Sequence, residues 1–292
     1  MNFSTFSRAI TKRVNQIELD RILAGNTLDQ SCFSAHETEI DLVSQSQFIT
    51  DFHTINQWAQ PQLHPCTLHV MSLSLQLKTL LQPALPLPAI GLVHIANRIQ
   101  YSTQLTDKKL KFRCFIQSVA RHKKGILATM AISVSQDNKQ VYVAESDYLY
   151  RCKVETGSTP RSTIDEQPVE RDLVTTLSFQ ADIGRRYAKV SGDYNPIHLW
   201  PLTARLLGFK RAIAHGMHTL SLSLSHHPWL QQHVAESREL TIENQFYNPA
   251  FLPCKLDMYS VNGRSYQQHS YQLSLPNAEP HKRHILSASL TV

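Results

Sequence analysis

The sequence predicts an α+β protein built from two copies of one unit, each an antiparallel sheet wrapped on a helix. Three observations carry this. Alternating apolar segments follow an apolar helix-length segment twice along the chain. Two short strings recur at nearly equal offsets: His69-Val-Met71 and His215-Gly-Met217 lie 146 apart, Asn97-Arg-Ile-Gln-Tyr101 and Asn244-Gln-Phe-Tyr247 lie 147 apart with one residue dropped. Between them, Gly, Ser, Thr and Pro gather from Glu155 to Glu170, densest over Thr156–Thr163, as in a linker. The division expected is an N-terminal domain at 1–152, a linker at 153–170 and a C-terminal domain at 171–292.

Taken in order, Ile10–Leu23 reads as a helix and the alternation of Glu39–Val43 as a strand, with a short helix at His53–Gln60. His69–Leu81 is ambiguous: alternation of Leu73, Leu75 and Leu77 favours a strand, length and composition favour a helix. After Pro83–Pro88, strands are expected at Gly91–Tyr101, Leu110–Val119, Ile126–Ser135 and Val141–Cys152. The second unit supplies Leu173–Phe179, a turn-rich loop, a short helix at Trp200–Leu207, a longer helix opening at Gly216, and strands at Leu240–Tyr247, Cys254–Val261, Gln267–Leu275 and His284–Val292.

Hydrophobic residues make up 42% of the chain and charged ones 18%, enough for proper cores and too ordered a composition for a disordered chain. Twenty-nine Lys and Arg against 23 Asp and Glu leave a net charge of +6, which favours an anionic partner. The basic run Arg121-His-Lys-Lys124 reads as a hairpin turn, and without a reader motif or basic stripe no nucleic-acid partner is expected. Five scattered cysteines without a C-x-x-C argue against a disulfide framework and a structural zinc. No signal segment and no run of about eighteen apolar residues is present, so no membrane span and a reducing, cytoplasmic setting are expected. Neither a Gly-x-Gly-x-x-Gly nor a Gly-x-Ser-x-Gly string occurs.

Chemistry concentrates in Tyr187-Ala-Lys-Val-Ser-Gly-Asp-Tyr-Asn-Pro-Ile-His198 and in Ile213-Ala-His-Gly-Met217. Gly192, Asn195 and Pro196 break regular structure between Asp193 and His198, so a rigid loop presents the pair. A glycine opening a helix, Gly216, exposes an amide at the positive end of the helix dipole to close approach by an oxygen.

From Tyr187 through Met217 the chain resembles the hydratase motif of MaoC-type dehydratases, the (R)-specific enoyl-thioester hydratases of the hotdog superfold. The resemblance implies a double hotdog, two antiparallel sheets each wrapped around a central helix, forming a pseudo-dimer within one chain, with room for a further homodimer. It implies that Asp193 and His198 together activate water, that the Gly216 amide is the oxyanion donor, and that Asn195 braces the loop. It does not say which of the pair holds the proton at each step. Ser191 is expected to close a local turn, and His215 either to line the groove or to take a helix-capping or core-edge position.

The N-terminal domain departs from the pattern. Ser46-Gln-Phe-Ile-Thr-Asp-Phe-His53 stands where the motif would be, Asp51 and His53 have the wrong order and spacing, and Val70 is matched to Gly216. That domain is expected to be structural. Asp193, His198, His215 and His218 crowd one region, but no metal and no other cofactor is expected. The activity implied is reversible hydration of 2-enoyl thioesters, carried on CoA or acyl carrier protein, to (R)-3-hydroxyacyl thioesters. Thioester hydrolysis is the alternative, and non-catalytic acyl-CoA or acyl-carrier binding a third.

Overall fold

The segment Gly125–Gln136 shows why a sheet forms. Ile126, Ala128, Met130, Ile132 and Val134 are fully buried, and the residues between them are half-buried, so one pleat face meets the core throughout. The computed structural model describes residues 12, 14–89, 91–102, 105–106, 109–154, 171–236, 239–261 and 268–291. All but two residues of the expected linker lie outside these.

The first half runs α1 (Gln16–Leu23), β1 (Leu28–Asp29), β2 (His36–Asp41), α2 (Ser46–Ile55), α3 (Thr67–Met71) and α4 (Leu73–Leu80). Four long strands follow: β3 (Leu92–Ser102), β4 (Lys109–His122), β5 (Gly125–Gln136) and β6 (Lys139–Arg151). The second half runs β7 (Arg171–Phe179), α5 (Ile183–Ser191), α6 (Pro201–Leu206), α7 (Gly216–Ser225) and α8 (Pro228–His233). It closes with β8 (Glu239–Phe246), β9 (Cys254–Val261), β10 (Gln268–Ser274) and β11 (His284–Thr291).

All eleven strands form one antiparallel sheet, ordered β1-β4-β5-β6-β3-β8-β11-β10-β9-β7, with β2 also on β4. Counted outward from the β3–β8 seam, the halves repeat one another: β3-β6-β5-β4 on one side, β8-β11-β10-β9 on the other. This is the double hotdog arrangement, with the halves joined edge to edge as the sequence suggests. At the seam Asn97 stands opposite Asn244, the very residues of the 147-residue repeat. Asn97 Nδ2 donates to Asn244 Oδ1 at 3.0 Å, and Asn97 Oδ1 accepts from Ser146 Oγ and from His94 Nε2. Side-chain amides on a pseudo-twofold axis can satisfy each other, which explains why this position repeats when little else does.

Several local expectations shift. The ambiguous His69–Leu81 is helical, because Leu68, Ser72, Leu75, Gln76, Thr79 and Leu80 are buried at three- and four-residue steps. Ser72 interrupts it, its hydroxyl donating to the His69 carbonyl at 2.7 Å. The helix expected at His53–Gln60 starts earlier, at Ser46, and the strand expected at Glu39–Val43 is His36–Asp41. Val70 is the fourth residue of α3, so it does not open its helix as Gly216 opens α7. Tyr187–Ser191, read as part of a loop, forms the last turns of α5, whose Ile183, Tyr187 and Ala188 face inward. Among the described residues no helix is long and apolar enough to cross a membrane.

Asn97→Leu removes the partner of buried Ser146 Oγ and of buried Asn244 at the seam. Since an orphaned buried polar group costs about 1–3 kcal/mol, equilibrium denaturation is expected to show a loss of at least about 2 kcal/mol.

Candidate active site

The loop between α5 and α6 is built by local hydrogen bonds that its sequence dictates. Gly192 ends α5 with φ +77°, a left-handed cap that lets the chain reverse at once. Ser191 Oγ donates to the Tyr187 carbonyl at 2.9 Å and accepts from the Asp193 amide at 3.1 Å. Asp193 Oδ1 accepts from the Asn195 amide at 3.1 Å, and Asn195 Oδ1 accepts from the Ile197 amide at 3.4 Å. Pro196–His198 is then a single 3-10 turn capped by Asn195. Asp193 and Asn195 thus fold back on the backbone, leaving the second carboxylate oxygen of Asp193 for the cleft.

His198 is held from two sides. Its Nδ1 meets the Ile213 carbonyl at 2.9 Å; a carbonyl only accepts, so the proton is on Nδ1 and Nε2 keeps its lone pair. The Ile213 amide in turn donates to the Ile197 carbonyl at 3.1 Å, and the Ala214 amide to the Ala250 carbonyl at 2.9 Å, pinning the strap before α7. Behind His198 the ring of His215 stacks at 3.8 Å and 26°. His215 Nε2 donates to the Asp193 carbonyl at 3.0 Å and stands 3.9 Å from its carboxylate. His215 caps the start of α7 and is 2% exposed; it lies behind the cleft wall rather than in it. Burial holds His198 below the ordinary imidazole range, with the nearby Asp193 carboxylate partly opposing it. Burial, and then the adjacent His198, push His215 well below that range. Both rings are neutral at pH 7.

Asp193, His198 and Gly216 line one cleft of about 1390 Å³. As first residue of α7, Gly216 has an amide without an intrahelical acceptor. A Cβ at this position would lie 3.0 Å from Cζ of Phe246 on β8, so the glycine is also a packing requirement. Val70, its presumed counterpart, lines the same cleft from α3.

Asp51 and His53 take no part. Asp51 is exposed on α2 and accepts from Gln47, and His53 Nε2 accepts from the His64 amide at 3.2 Å. His218 is also tied elsewhere: its Nδ1 bonds Asn56 Oδ1 at 2.8 Å, and burial pushes its pKa to about 3. Asp193, His198 and His215 do offer ligand atoms within 4.8 Å of one another. The lone pair of His215 Nε2 is not free, however, since that nitrogen donates to a carbonyl, and its Nδ1 is buried without a partner. With His215 bonded to the Asp193 carbonyl and His198 to the Ile213 carbonyl, the trio fits a carboxylate and an imidazole with a backing ring better than a cation site.

Sequence reasoning missed several contributors. The Ile213 carbonyl leaves no signal, because any residue has one. Gly184 left no signal either, because no helix was expected around it: a Cβ there would lie 2.0 Å from the His198 carbonyl oxygen, so α5 and the His198 turn touch through it. From the first half, His69, Gln76, His94 and Tyr148 enter the cleft wall, with His94 stacked on Tyr148 at 4.7 Å and Tyr148 donating to Gln76 at 2.8 Å.

Residues 159–272 match the MaoC like domain family. A 179-residue stretch, 61% of the chain, is 27% identical to 3-hydroxyacyl-thioester dehydratase X of Mycobacterium tuberculosis and spans 62% of that relative's length, less than two thirds. The crystal structure of HtdX of M. tuberculosis superposes with a TM-score of 0.69 at 21% identity, covering 91% of this chain and 98% of that one. A MaoC-like dehydratase from Phytophthora capsici gives 0.67 at 13% identity, covering 94% and 97%. At these identities the structures speak for the fold alone.

Gly184→Ala forces the His198 carbonyl away from α5. Overpacking of this kind costs about 1–3 kcal/mol, and thermal unfolding is expected to show the loss, with His198 displaced in a crystal structure of the variant.

Proposed function

We propose that the chain, whose residues 159–272 match the MaoC like domain family, reversibly hydrates 2-enoyl thioesters to (R)-3-hydroxyacyl thioesters. The observation that carries the reading is the neutral His198, its Nε2 unprotonated, beside the Asp193 carboxylate and the opening amide of α7 in one cleft. The name of the mycobacterial dehydratase relative supports an acyl-thioester substrate. The (R) hand rests on the resemblance of Tyr187–Met217 to the hydratase motif.

In the hydration direction a water sits between the Asp193 carboxylate and His198 Nε2. One of the pair takes a proton as the water oxygen bonds to C3, and the C2–C3 π electrons move toward the thioester carbonyl. The oxygen there gains enolate charge, which the Gly216 amide and the α7 dipole stabilise. A proton is then returned to C2 from the same face, which restores the thioester. Burial of His198 keeps it neutral and so able to accept a proton at neutral pH. His215 and the Ile213 carbonyl hold the ring in place, and no metal, nicotinamide or flavin is needed for any of these steps.

Crotonyl-CoA tests this directly. Loss of enoyl absorbance without release of free thiol supports hydration; thiol release at the same rate would replace it with hydrolysis. Asp193→Asn and His198→Ala are each expected to lower turnover at least about a hundredfold, the low end for a general acid–base group. Gly216→Val should be as damaging, whereas Asp51→Asn and His53→Ala should stay within a few-fold of normal. If the α2 changes prove equally harmful, the assignment of one site per chain fails.

The pH profile adds a second check. A base held below the ordinary imidazole pKa of about 6.5 stays neutral further into acid. The acid limb of kcat/KM for crotonyl-CoA is therefore expected to have its midpoint below that value. An acid limb centred above it would contradict the role given to His198.

A further inference from the structure

Outside the cleft, the segment that follows the catalytic turn presents an apolar face to solvent. Trp200, Leu202 and Leu206 are 52%, 68% and 79% exposed, and Leu207 beside them is exposed too. Leu202 and Leu206 are four residues apart on α6 and share one face. None of the four lines the cleft. The shelf is rigid: the Arg185 guanidinium stacks 3.9 Å over the Trp200 ring, and Arg185 Nη1 donates to the Leu199 carbonyl at 3.1 Å. It is also close to the chemistry. Thr203 Oγ1 donates to the Pro196 carbonyl at 2.6 Å, in the same turn that carries His198, and exposed Tyr194 joins the catalytic loop to the rim.

The same stretch of chain is also rich in positive charge. Between Asp182 and Arg211 stand six cations, Arg185, Arg186, Lys189, Arg205, Lys210 and Arg211, against only Asp182 and Asp193. Most of the net +6 of the chain is therefore carried by about a tenth of its length. Arg186, Lys189, Arg205, Lys210 and Arg211 are exposed.

We propose that this shelf docks an acidic carrier protein, which delivers the acyl thioester on a phosphopantetheine arm into the adjoining cleft. The proposal rests on the acyl-thioester reading above and specifies the handle. A nucleotide handle such as CoA has phosphates for cations but no use for leucines on α6, outside the cleft. The cleft's own cations, among them Lys123, Lys124 and Lys189, serve the phosphate of either handle and do not discriminate. A second copy is disfavoured by charge: an isologous contact would set this cationic patch against itself. A folded partner with acidic side chains around an apolar centre satisfies both features at once.

The test compares a crotonyl group carried by an acidic acyl carrier protein with crotonyl-CoA, using the full chain and the variants Leu206→Glu and Lys210→Glu. For the carrier substrate kcat/KM is expected to fall at least about tenfold through KM, as for loss of an interface anchor. For crotonyl-CoA it should change less than about twofold, since neither residue touches the cleft. Equal losses on both substrates, or no loss on either, overturn the proposal. Binding of the phosphopantetheinylated carrier without an acyl group, followed by calorimetry, separates this from the reaction itself. If the wild type binds that carrier and the variants do not, docking stands even should neither thioester be hydrated. Three other outcomes reject the carrier: no calorimetric binding by the wild type, retention on anionic phospholipid vesicles without carrier binding, or a dimer by light scattering that Leu206→Glu converts to monomer.

Discussion

The β3–β8 pairing is the constraint on which the rest of the molecule depends. It makes one sheet of eleven strands from two halves, so neither half presents that edge to solvent. It also sets the cleft, because Gly216 packs on Phe246 of β8 and His94 of β3 meets the same ring at 5.6 Å. Cross-links between the halves extend the seam into the helical layer. His64 Nε2 bonds the Ser221 carbonyl at 3.1 Å, Asn56 bonds His218, and Gln60 donates to Gln231 Oε1 at 2.8 Å. The first half is thereby tied to both α7 and α8.

Within that frame the site is positioned mostly by backbone groups. The Ile213 carbonyl sets the tautomer of His198, the Asp193 carbonyl orients His215, and the His198 carbonyl packs on Gly184. Backbone atoms are placed by the fold and lose no side-chain entropy on use, which suits a site whose donors must be ready before the substrate arrives. The cost is sensitivity: a methyl group on α5 reaches the catalytic turn directly.

How far the sequence reveals this depends on the kind of signal. Strands such as β5 and β9 are readable because period-two burial writes itself into residue type, and Cys254–Val261 matches its expected bounds to the residue. The repeat was readable through Asn97 and Asn244, but that these two amides face each other at the seam emerges only once β3 and β8 are paired. The stretch His69–Leu81 resisted because helical and strand periods coincide in its leucines, and only three-dimensional burial separates them. Asp193, His198 and Gly216 come together in one cleft, and turn chemistry at Gly192, Asn195 and Pro196 announces their loop. The helix Ile183–Ser191 was not assigned, since attention to the breakers Gly192, Asn195 and Pro196 left the segment before them unread, although Ile183, Tyr187, Ala188 and Ser191 form its buried face. His69, Gln76, His94 and Tyr148 could not be assigned to the cleft at all, since their convergence requires β3, β6 and the broken helix α3–α4 to be placed first.

The junction of the two halves within a single polypeptide has an evolutionary consequence. In a symmetric pair of identical subunits each altered codon appears twice, so a change that improves one site is imposed on its twin, for better or worse. Here a change is made once. Changes at His94, Tyr148 and Gln76, which line the cavity from the first half, therefore need not be matched in the second. Two units in one polypeptide thus let one wall of the cavity be revised without altering the loop that carries Asp193 and His198.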